Sequence, residues 1–391
     1  MRYNFDKVID RSGTSAEKVE GLKHIWGRTD LIPLWVADMD FATAPFVTDA
    51  IRKRCENEVL GYTGKPDSYY NAIINWVKQR YDLIVTKEVI NFVPGIVPGI
   101  GMAMNCFTQK GDKVMIQPPV YHPFAWVTTR NERTLVTNPL KWENGMYRMD
   151  LDTFREQIKG CKLFILCNPH NPGGVVWTEA ELRAIADICY DEKVLVFSDE
   201  IHADLTLPPH THRPFATVSE KARMNSVTFM SPSKAFNMPG LSASHALIFN
   251  EDLRKRFRIY MDAGELDMGH VFAFLSVEAA YSHGTEWLDQ CLAYIQGNID
   301  FVDEFLKKHA PKIKAIRPGA SYLVWLDCRE LKLSQKDLNE FFVDKAHLAL
   351  NDGEMFGKEG IGFMRLNVAS PRCIIEKAMK QLADAYQLYI K

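Results

Sequence analysis

Five short runs between about residues 89 and 250 are apolar at nearly every position, instead of at every second one. A strand with both faces buried has this composition, as in a parallel sheet that is covered by helices. The runs are DKVMIQ (112–117), KLFILC (162–167), VLVFS (194–198), SVTFM (226–230) and HALIF (245–249). Longer stretches of helical periodicity separate them, and this alternation predicts an α/β fold around a mostly parallel, doubly wound sheet.

One of the intervening stretches, TEAELRAIADICYDE (178–192), carries its own start signal. Thr178 and Glu181 stand at the spacing of a capping box, which satisfies two free N–H groups at the beginning of a helix. Leu182 and Cys189 then fall on one helical face. The stretch is therefore predicted to be an amphipathic helix that packs on the sheet.

The pattern changes after about residue 284. A long helix is predicted over 285–309, followed by short strands at 322–327 and 362–368 and a closing helix from about 371 to 389. We expect a large domain and a smaller α+β domain, which the N-terminal segment joins. The expected boundaries are 1–45 for that segment, 46–284 for the large domain and 285–391 for the small domain.

Charge and cysteine content exclude several classes of protein. The 47 basic and 49 acidic residues nearly cancel, and no block of like charge predicts binding to nucleic acid or to a membrane. The N-terminus has no apolar signal-peptide core, and no uncharged apolar run approaches the ~20 residues that span a bilayer. The eight cysteines include no CxxC pair, which favours reduced, mostly buried thiols in a soluble, cytoplasmic protein.

Polar side chains follow three of the predicted strands, at the edge where open parallel sheets bind ligands. Taken singly, each has an ordinary interpretation: Asp199 as a helix cap, Asn171 as part of a turn, Lys234 as a solvated cation. Because the carboxyl ends of the strands meet at one edge, we expect the group to converge on one pocket. Its members are Asn168, Asn171, Asp199, His202, Ser231, Ser233 and Lys234.

Pyridoxal phosphate is the ligand whose chemistry matches these residue types. Its aldehyde needs a lysine, its pyridine nitrogen an acidic partner, and its phosphate hydroxyls and backbone N–H groups at a helix start. Nucleotide binding is poorly supported, since the chain has neither GxGxxG after a strand nor GxxxxGK[ST]. The histidines of PPHTH, His210 and His212, are interpreted as a surface loop and no metal site is expected.

Seven motifs carry a family resemblance that covers essentially the whole chain. Three resemble fold-type I pyridoxal-phosphate enzymes of the class I/II aminotransferase superfamily: NPHNPGG (168–174), SDEIH (198–202) and SPSKAFNMPG (231–240). Four resemble its C–S lyase branch, the cystathionine β-lyase and cystalysin-like group: LWVADMDFATAP (34–45), LGYTGKPDSYY (60–70), PPVYHPF (118–124) and GFMRLNVASPR (362–372).

The resemblance implies a role for each residue around the cofactor ring. Lys234 would bind the aldehyde carbon, Asp199 would pair with the pyridinium nitrogen, and Asn171 would bond the phenolic oxygen. Tyr121 would stack on the ring. His202 stands where many members of the superfamily carry a tyrosine, so the second partner of the phenolic oxygen is open, as is the role of His122.

The resemblance also implies a phosphate site, a carboxylate site and a dimer. Tyr62 would reach the phosphate of the neighbouring subunit, which implies a homodimer with shared active sites. Arg365 would hold the α-carboxylate of the substrate by a bidentate pair, and Asn171 would also contact the substrate. The expected phosphate ligands within the chain are Gly95, Ile96, Val97, Ser231 and Ser233.

The predicted activity is α,β-elimination from L-cystathionine, L-cysteine or another cysteine S-conjugate, giving pyruvate, ammonia and a thiol. Two alternatives remain. The same residues would serve an aminotransferase, and no single residue separates the two chemistries. A non-catalytic regulatory protein on this fold is less well supported, because Lys234, Asp199 and Arg365 are all present.

Overall fold

The computed structural model of the chain describes residues 2–389. Its strands are β1 (Ile32–Pro33), β2 (Ile90–Val93), β3 (Lys113–Ile116), β4 (Thr134–Thr137), β5 (Lys141–Glu143), β6 (Met146–Arg148), β7 (Cys161–Cys167), β8 (Leu195–Asp199), β9 (Ser226–Met230), β10 (Ser244–Leu247), β11 (Lys314–Ile316), β12 (Leu323–Asp327), β13 (Leu348–Ala349), β14 (Asn351–Asp352) and β15 (Phe363–Asn367). Its α-helices are α1 (Glu17–Trp26), α2 (Pro45–Cys55), α3 (Asp67–Tyr81), α4 (Ile96–Phe107), α5 (Pro123–Arg130), α6 (Leu151–Gln157), α7 (Glu179–Asp191), α8 (Glu220–Met224), α9 (Glu251–Ala263), α10 (Val271–His283), α11 (Thr285–His309), α12 (Gln335–Glu340) and α13 (Arg372–Tyr389).

A seven-stranded sheet forms the centre of the fold, in the order β2-β10-β9-β8-β7-β3-β4. The pairs from β9 through β8, β7 and β3 to β4 are all parallel, which confirms the mostly parallel α/β sheet. Each of the five predicted runs overlaps one strand of this sheet.

The strand β10 differs from the others because it runs antiparallel to both β9 and β2. Its apolar run, 245–249, predicts a buried strand, and the structure shows that this strand is the antiparallel member of the mostly parallel sheet. The short segment 231–243 that joins β9 to β10 contains no α-helix to return the chain across the sheet. A strand buried on both faces has the same composition in either direction, so the pattern could not reveal this.

Helices cover both faces of the large sheet. On one face, Phe197 and Phe229 pack in a cluster that includes residues of α4 and α9, and on the other, residues of α7 and α10 contribute to the core. The helix α7 begins with the predicted capping box between Thr178 and Glu181. This layering leaves the carboxyl ends of β7, β8 and β9 open at one edge.

A second, antiparallel sheet has the order β11-β12-β15-β14. The predicted helix over 285–309 corresponds to α11, which packs against α13. The N-terminal strand β1 pairs in parallel with β13, joining Ile32 to Leu348. The domain boundaries themselves stay a prediction.

Candidate active site

A cavity of about 210 Å³ lies beyond the carboxyl ends of β7, β8 and β9. Its position, at the carboxyl edge of a parallel sheet, is where open α/β sheets bind ligands. The structure brings nine of the predicted site residues to its wall: Gly95, Ile96, Val97, Tyr121, Asn171, Asp199, His202, Ser233 and Lys234. Ser231 and Arg365 lie just behind the wall, and Tyr62 lies elsewhere.

Lys234 projects into the cavity from the loop that follows β9. Its Nζ donates a hydrogen bond of 2.6 Å to the backbone oxygen of Ala37. Burial lowers the pKa of this amine to about 8, and the nearby Arg365 acts in the same direction. About a tenth of the amine is therefore uncharged at pH 7, far more than in an ordinary lysine, and an amine must be uncharged to act as nucleophile or base.

Asp199 ends β8 and is only 3% exposed. One of its carboxylate oxygens accepts a bond of 3.1 Å from the backbone N–H of Ile201. Burial raises the pKa of the carboxyl to about 7, and the neighbouring Glu200 also raises it. A buried carboxylate in this position is stabilised by a cation in the cavity, and a protonated pyridine nitrogen meets that requirement.

The N-terminus of α4 forms another part of the wall. Gly95 precedes it with φ of 151°, in a region that residues with a side chain rarely adopt. The first N–H groups of a helix lack partners within it, and they favour an anion such as a phosphate. Ser233 also faces the cavity, whereas Ser231 bonds to Ser233 Oγ and to the carbonyl of Ala243, at 2.9 and 2.8 Å.

Tyr121 and His202 contribute neutral rings to the cavity. Burial raises the pKa of the Tyr121 phenol and lowers that of His202 to about 3, so both are uncharged near neutral pH. The buried Nδ1 of His202 has no hydrogen-bond partner within residues 2–389. An unsatisfied polar atom at the wall indicates that a polar ligand belongs there. With Lys234, Asp199 and the start of α4, these groups fit the predicted pyridoxal phosphate.

Arg365 lies on β15, is 3% exposed, and contacts the cavity residue Asn171. Its guanidinium donates to the side chains of Asn171 and Asn351 and to the carbonyl of Trp35, at 3.1, 2.5 and 3.1 Å. All three acceptors are neutral, and its Nε finds no acceptor in the described part of the chain. Burial lowers its pKa to about 10. A buried cation with no anionic partner favours a carboxylate ligand.

Tyr62 is not part of this cavity. Its side chain is 98% exposed, and the neighbouring Val59 and Leu60 are 72% and 58% exposed. Three adjacent apolar or aromatic side chains in solvent are unusual for a folded surface. The predicted contact of Tyr62 with a phosphate group is not made within one chain.

The interpretation of PPHTH as a surface loop is wrong for His212 and right for His210, which is exposed. His212 is buried, and its Nε2 lies 2.8 Å from the carboxylate of Glu200. Glu200 also accepts bonds from Ser198 Oγ and Phe215 N. A buried carboxylate requires several donors, and His212 is one of them. Residues 2–389 contain no cluster of His, Cys, Asp and Glu that could hold a metal.

Sequence reasoning missed three groups that contact the site. Cys167 lines the cavity, the carbonyl of Ala37 binds Lys234, and the hydroxyl of Tyr322 donates to the same carbonyl at 2.9 Å. Every residue has a backbone carbonyl, so the residue types of a sequence do not indicate which carbonyl contacts the site. Tyr322 lies within the predicted strand 322–327, where an aromatic residue is ordinary.

Comparison with known proteins assigns the family. Residues 29–382 match the model of aminotransferase class I and II, and the chain belongs to this family. It is 38% identical to cystathionine β-lyase PatB of Bacillus subtilis, over 98% of this chain and 99% of that protein.

Two solved structures agree with this assignment. Cystalysin of Treponema denticola, which contains a pyridoxal 5'-phosphate cofactor, has a TM-score of 0.96 and 33% identity, with 100% of both chains covered. A pyridoxal-phosphate-bound putative aminotransferase of Clostridium difficile 630 has a TM-score of 0.96 and 40% identity, covering 98% of this chain and 100% of that one.

Proposed function

We propose that the protein is a pyridoxal-phosphate-dependent C–S lyase. It performs α,β-elimination on L-cystathionine, L-cysteine or another cysteine S-conjugate, releasing pyruvate, ammonia and a thiol. The observation that carries the proposal is the convergence of Lys234, Asp199 and Asn171 on one cavity, in a chain whose full-length relative is named a cystathionine β-lyase.

Each cavity residue has a specific task toward the cofactor. When bound, pyridoxal phosphate supplies an electron sink for the pair left on the substrate's α-carbon. Asp199 would pair with the ring nitrogen, Asn171 would bond the phenolic oxygen, and Tyr121 would contact the ring through its aromatic face. His202 presents a neutral imidazole beside them.

The start of α4 and the loop after β9 would hold the phosphate. Gly95, Ile96 and Val97 line the cavity at that helix start, and their backbone N–H groups would bind the phosphate oxygens. Ser233 contributes its hydroxyl, and Ser231 reaches the phosphate only if it exchanges its bond to Ala243. Ser231 is therefore the weakest of the proposed phosphate ligands.

Lys234 and Arg365 act on the substrate. Arg365 binds the α-carboxylate through a bidentate pair and so fixes the direction of the Cα–H bond. The uncharged amine of Lys234 takes the α-proton and becomes an ammonium. Loss of the β-thiolate then follows, because the electron pair of the broken C–H bond is available to expel it.

We also propose a homodimer with shared active sites, in the cytoplasm. The exposed Val59, Leu60 and Tyr62 would be covered by a second copy, with Tyr62 at the phosphate of its neighbour. The eight free cysteines fit a reducing compartment. None of the helices within residues 2–389 has the length and hydropathy to cross a bilayer.

The dimer is tested by mixing two inactive chains. Lys234→Ala and Tyr62→Ala subunits, unfolded and refolded together, would form hybrid dimers with one intact site. Activity above the sum of the separate variants is expected. No recovery, together with the mass of a monomer in solution, would rule the shared site out.

The second candidate function is an aminotransferase, favoured by the family model and by the Clostridium difficile relative. Incubation with L-cystathionine separates the two. A lyase releases pyruvate, ammonia and thiol in equal amounts, and Lys234→Ala abolishes all three. Absence of pyruvate from every cysteine S-conjugate, with the cofactor bound, would refute the lyase.

A further inference from the structure

The segment 35–41, here named the strap, contacts both cations of the site through its backbone. Trp35 O accepts a bond from Arg365, and Ala37 O accepts one from Lys234, at 3.1 and 2.6 Å. The two acceptors are only two residues apart. The strap therefore sets where the amine and the guanidinium lie relative to each other.

One asparagine fixes the strap from the side of the small sheet. Asn367 stands two residues after Arg365 on β15, and its Nδ2 donates to the carbonyls of Val36 and Asp38 at 2.7 and 2.6 Å. These carbonyls flank that of Ala37. Asn367 is fully buried, so its bonds are made away from competing water.

A second asparagine fixes the strap from the side of the lysine loop. Asn237 stands three residues after Lys234, and its Nδ2 donates to the carbonyls of Met39 and Phe41 at 3.0 and 2.7 Å. Its Oδ1 accepts from the N–H of Met39 at 3.0 Å. The loop of Lys234 and the strap are thus joined by three bonds from one side chain.

Tyr322 makes a further polar contact with the strap. Its side chain is fully buried, and its hydroxyl donates 2.9 Å to Ala37 O, the same oxygen that Lys234 binds. Burial raises the pKa of this phenol well above its usual value. Tyr322 therefore remains a neutral donor throughout the working range of pH.

We propose that Tyr322 is a positioning residue for Lys234. Its hydroxyl orients the Ala37 carbonyl, which then accepts a hydrogen bond from Lys234 whenever that amine is not bound to the cofactor. When Lys234 takes a proton from the substrate's α-carbon, the resulting ammonium donates to this carbonyl and stays within reach. The inference rests on the proposed function only for that proton transfer.

The test uses Tyr322→Phe, which removes one oxygen and keeps the ring. In the cofactor-free protein, acetic anhydride labels a lysine amine faster when that amine is released from its hydrogen bond. We expect Lys234 to be acetylated about threefold to tenfold faster in the variant, as the loss of one hydrogen bond implies. Mass spectrometry of the Lys234 peptide measures the rate.

A second readout follows the proton in the cofactor-loaded protein. L-Alanine has no β-leaving group, so exchange of its α-hydrogen in D₂O reports proton transfer without elimination. We expect Tyr322→Phe to slow this exchange about tenfold at saturating L-alanine, with KM little changed because the contacts of Arg365 remain. If the protein exchanged the α-hydrogen of L-alanine but eliminated thiol from no cysteine S-conjugate, the proposed lyase activity would be refuted. The proposed role of Tyr322 would not be.

Tyr69→Phe is the matched control. Tyr69 is equally buried, and its hydroxyl has no hydrogen-bond partner within residues 2–389, so both readouts should match the wild type. If Tyr322→Phe does not fold, Tyr322→Met replaces it, because its flexible apolar side chain also lacks the hydroxyl that binds Ala37 O. Unchanged acetylation and exchange in whichever variant folds would overturn the proposal.

Discussion

The Nη1 of Arg365 donates a 3.1 Å hydrogen bond to the side-chain oxygen of Asn171, across 194 positions of sequence. Asn171 follows β7 of the large sheet and Arg365 lies on β15 of the small one. This contact places the proposed carboxylate-binding group beside the proposed partner of the cofactor's phenolic oxygen. The two sheets together therefore form the site.

Arg365→Lys is expected to weaken substrate binding more than it affects folding. Lysine keeps the charge but cannot make the bidentate pair or reach Asn171, Asn351 and Trp35 together. KM for L-cystathionine should rise about 10- to 100-fold, as expected for the loss of charge-assisted bonds. A KM within twofold of the wild type would show that the carboxylate binds elsewhere.

Asp199→Asn is expected to stabilise the cofactor-free protein at neutral pH and not in acid. Burial raises the pKa of Asp199 from 3.8 to about 7. The contribution of this carboxyl to the free energy of unfolding is therefore fully present below pH 4 and is lost as the pH rises to 7. The loss is on the order of 4 kcal/mol at most.

Thermal unfolding of the two cofactor-free proteins between pH 4 and 8 measures this difference. The midpoint of the Asn variant should exceed that of the wild type increasingly from pH 4 to 7 and then stay constant. The same variant should bind the cofactor more weakly, since the ring nitrogen loses its anionic partner. A midpoint difference that does not vary with pH would contradict the raised pKa.

Lys234 should titrate well below an ordinary lysine in the cofactor-free protein. Its pKa is lowered to about 8, chiefly by burial. Acetylation of Lys234 should therefore rise with pH and level off above pH 9, whereas exposed lysines continue to gain reactivity toward pH 10.5. A lysine in an unstructured reference peptide, added to the same sample, provides the comparison. Parallel profiles for Lys234 and the peptide would contradict the lowered pKa.

Tyr121 should contribute its ring face and not its hydroxyl. Burial raises the pKa of the phenol, so it is a poor proton acceptor near neutral pH. Tyr121→Phe should keep the dissociation constant of pyridoxal phosphate within about twofold, and Tyr121→Ala should raise it about threefold to tenfold. Titration of the cofactor-free protein followed by absorbance gives both constants. Equal losses in Phe and Ala variants would assign the role to the hydroxyl.

Much of the fold could be predicted because its signals are local. Runs of apolar residues locate β7, β8 and β9, and the spacing of Leu288 to Leu306 locates α11. Five of the polar residues at the strand ends line one cavity because parallel strands share one edge, whereas Asn168 and Ser231 do not line it: the five are Asn171, Asp199, His202, Ser233 and Lys234. The assignment of roles to them came from the resemblance and stays a prediction.

The features that could not be predicted depend on contacts between distant parts of the chain. The strap contacts Lys234 and Arg365 through backbone carbonyls, and its bond to Lys234 joins residues 197 positions apart. The burial of His212 is explained by Glu200, whose buried carboxylate lies 2.8 Å from its Nε2. The short strands β4, β5 and β6 have little apolar signal.

The most direct test of the central claim is the amount of pyruvate formed per active site from L-cystathionine, with no keto acid added. A C–S lyase regenerates its cofactor in every cycle, so hundreds of pyruvate molecules per site are expected, matched by thiol and ammonia. An aminotransferase stops once its cofactor carries the amino group. One keto acid per site, with further turnover only after a keto acid is supplied, would contradict the lyase.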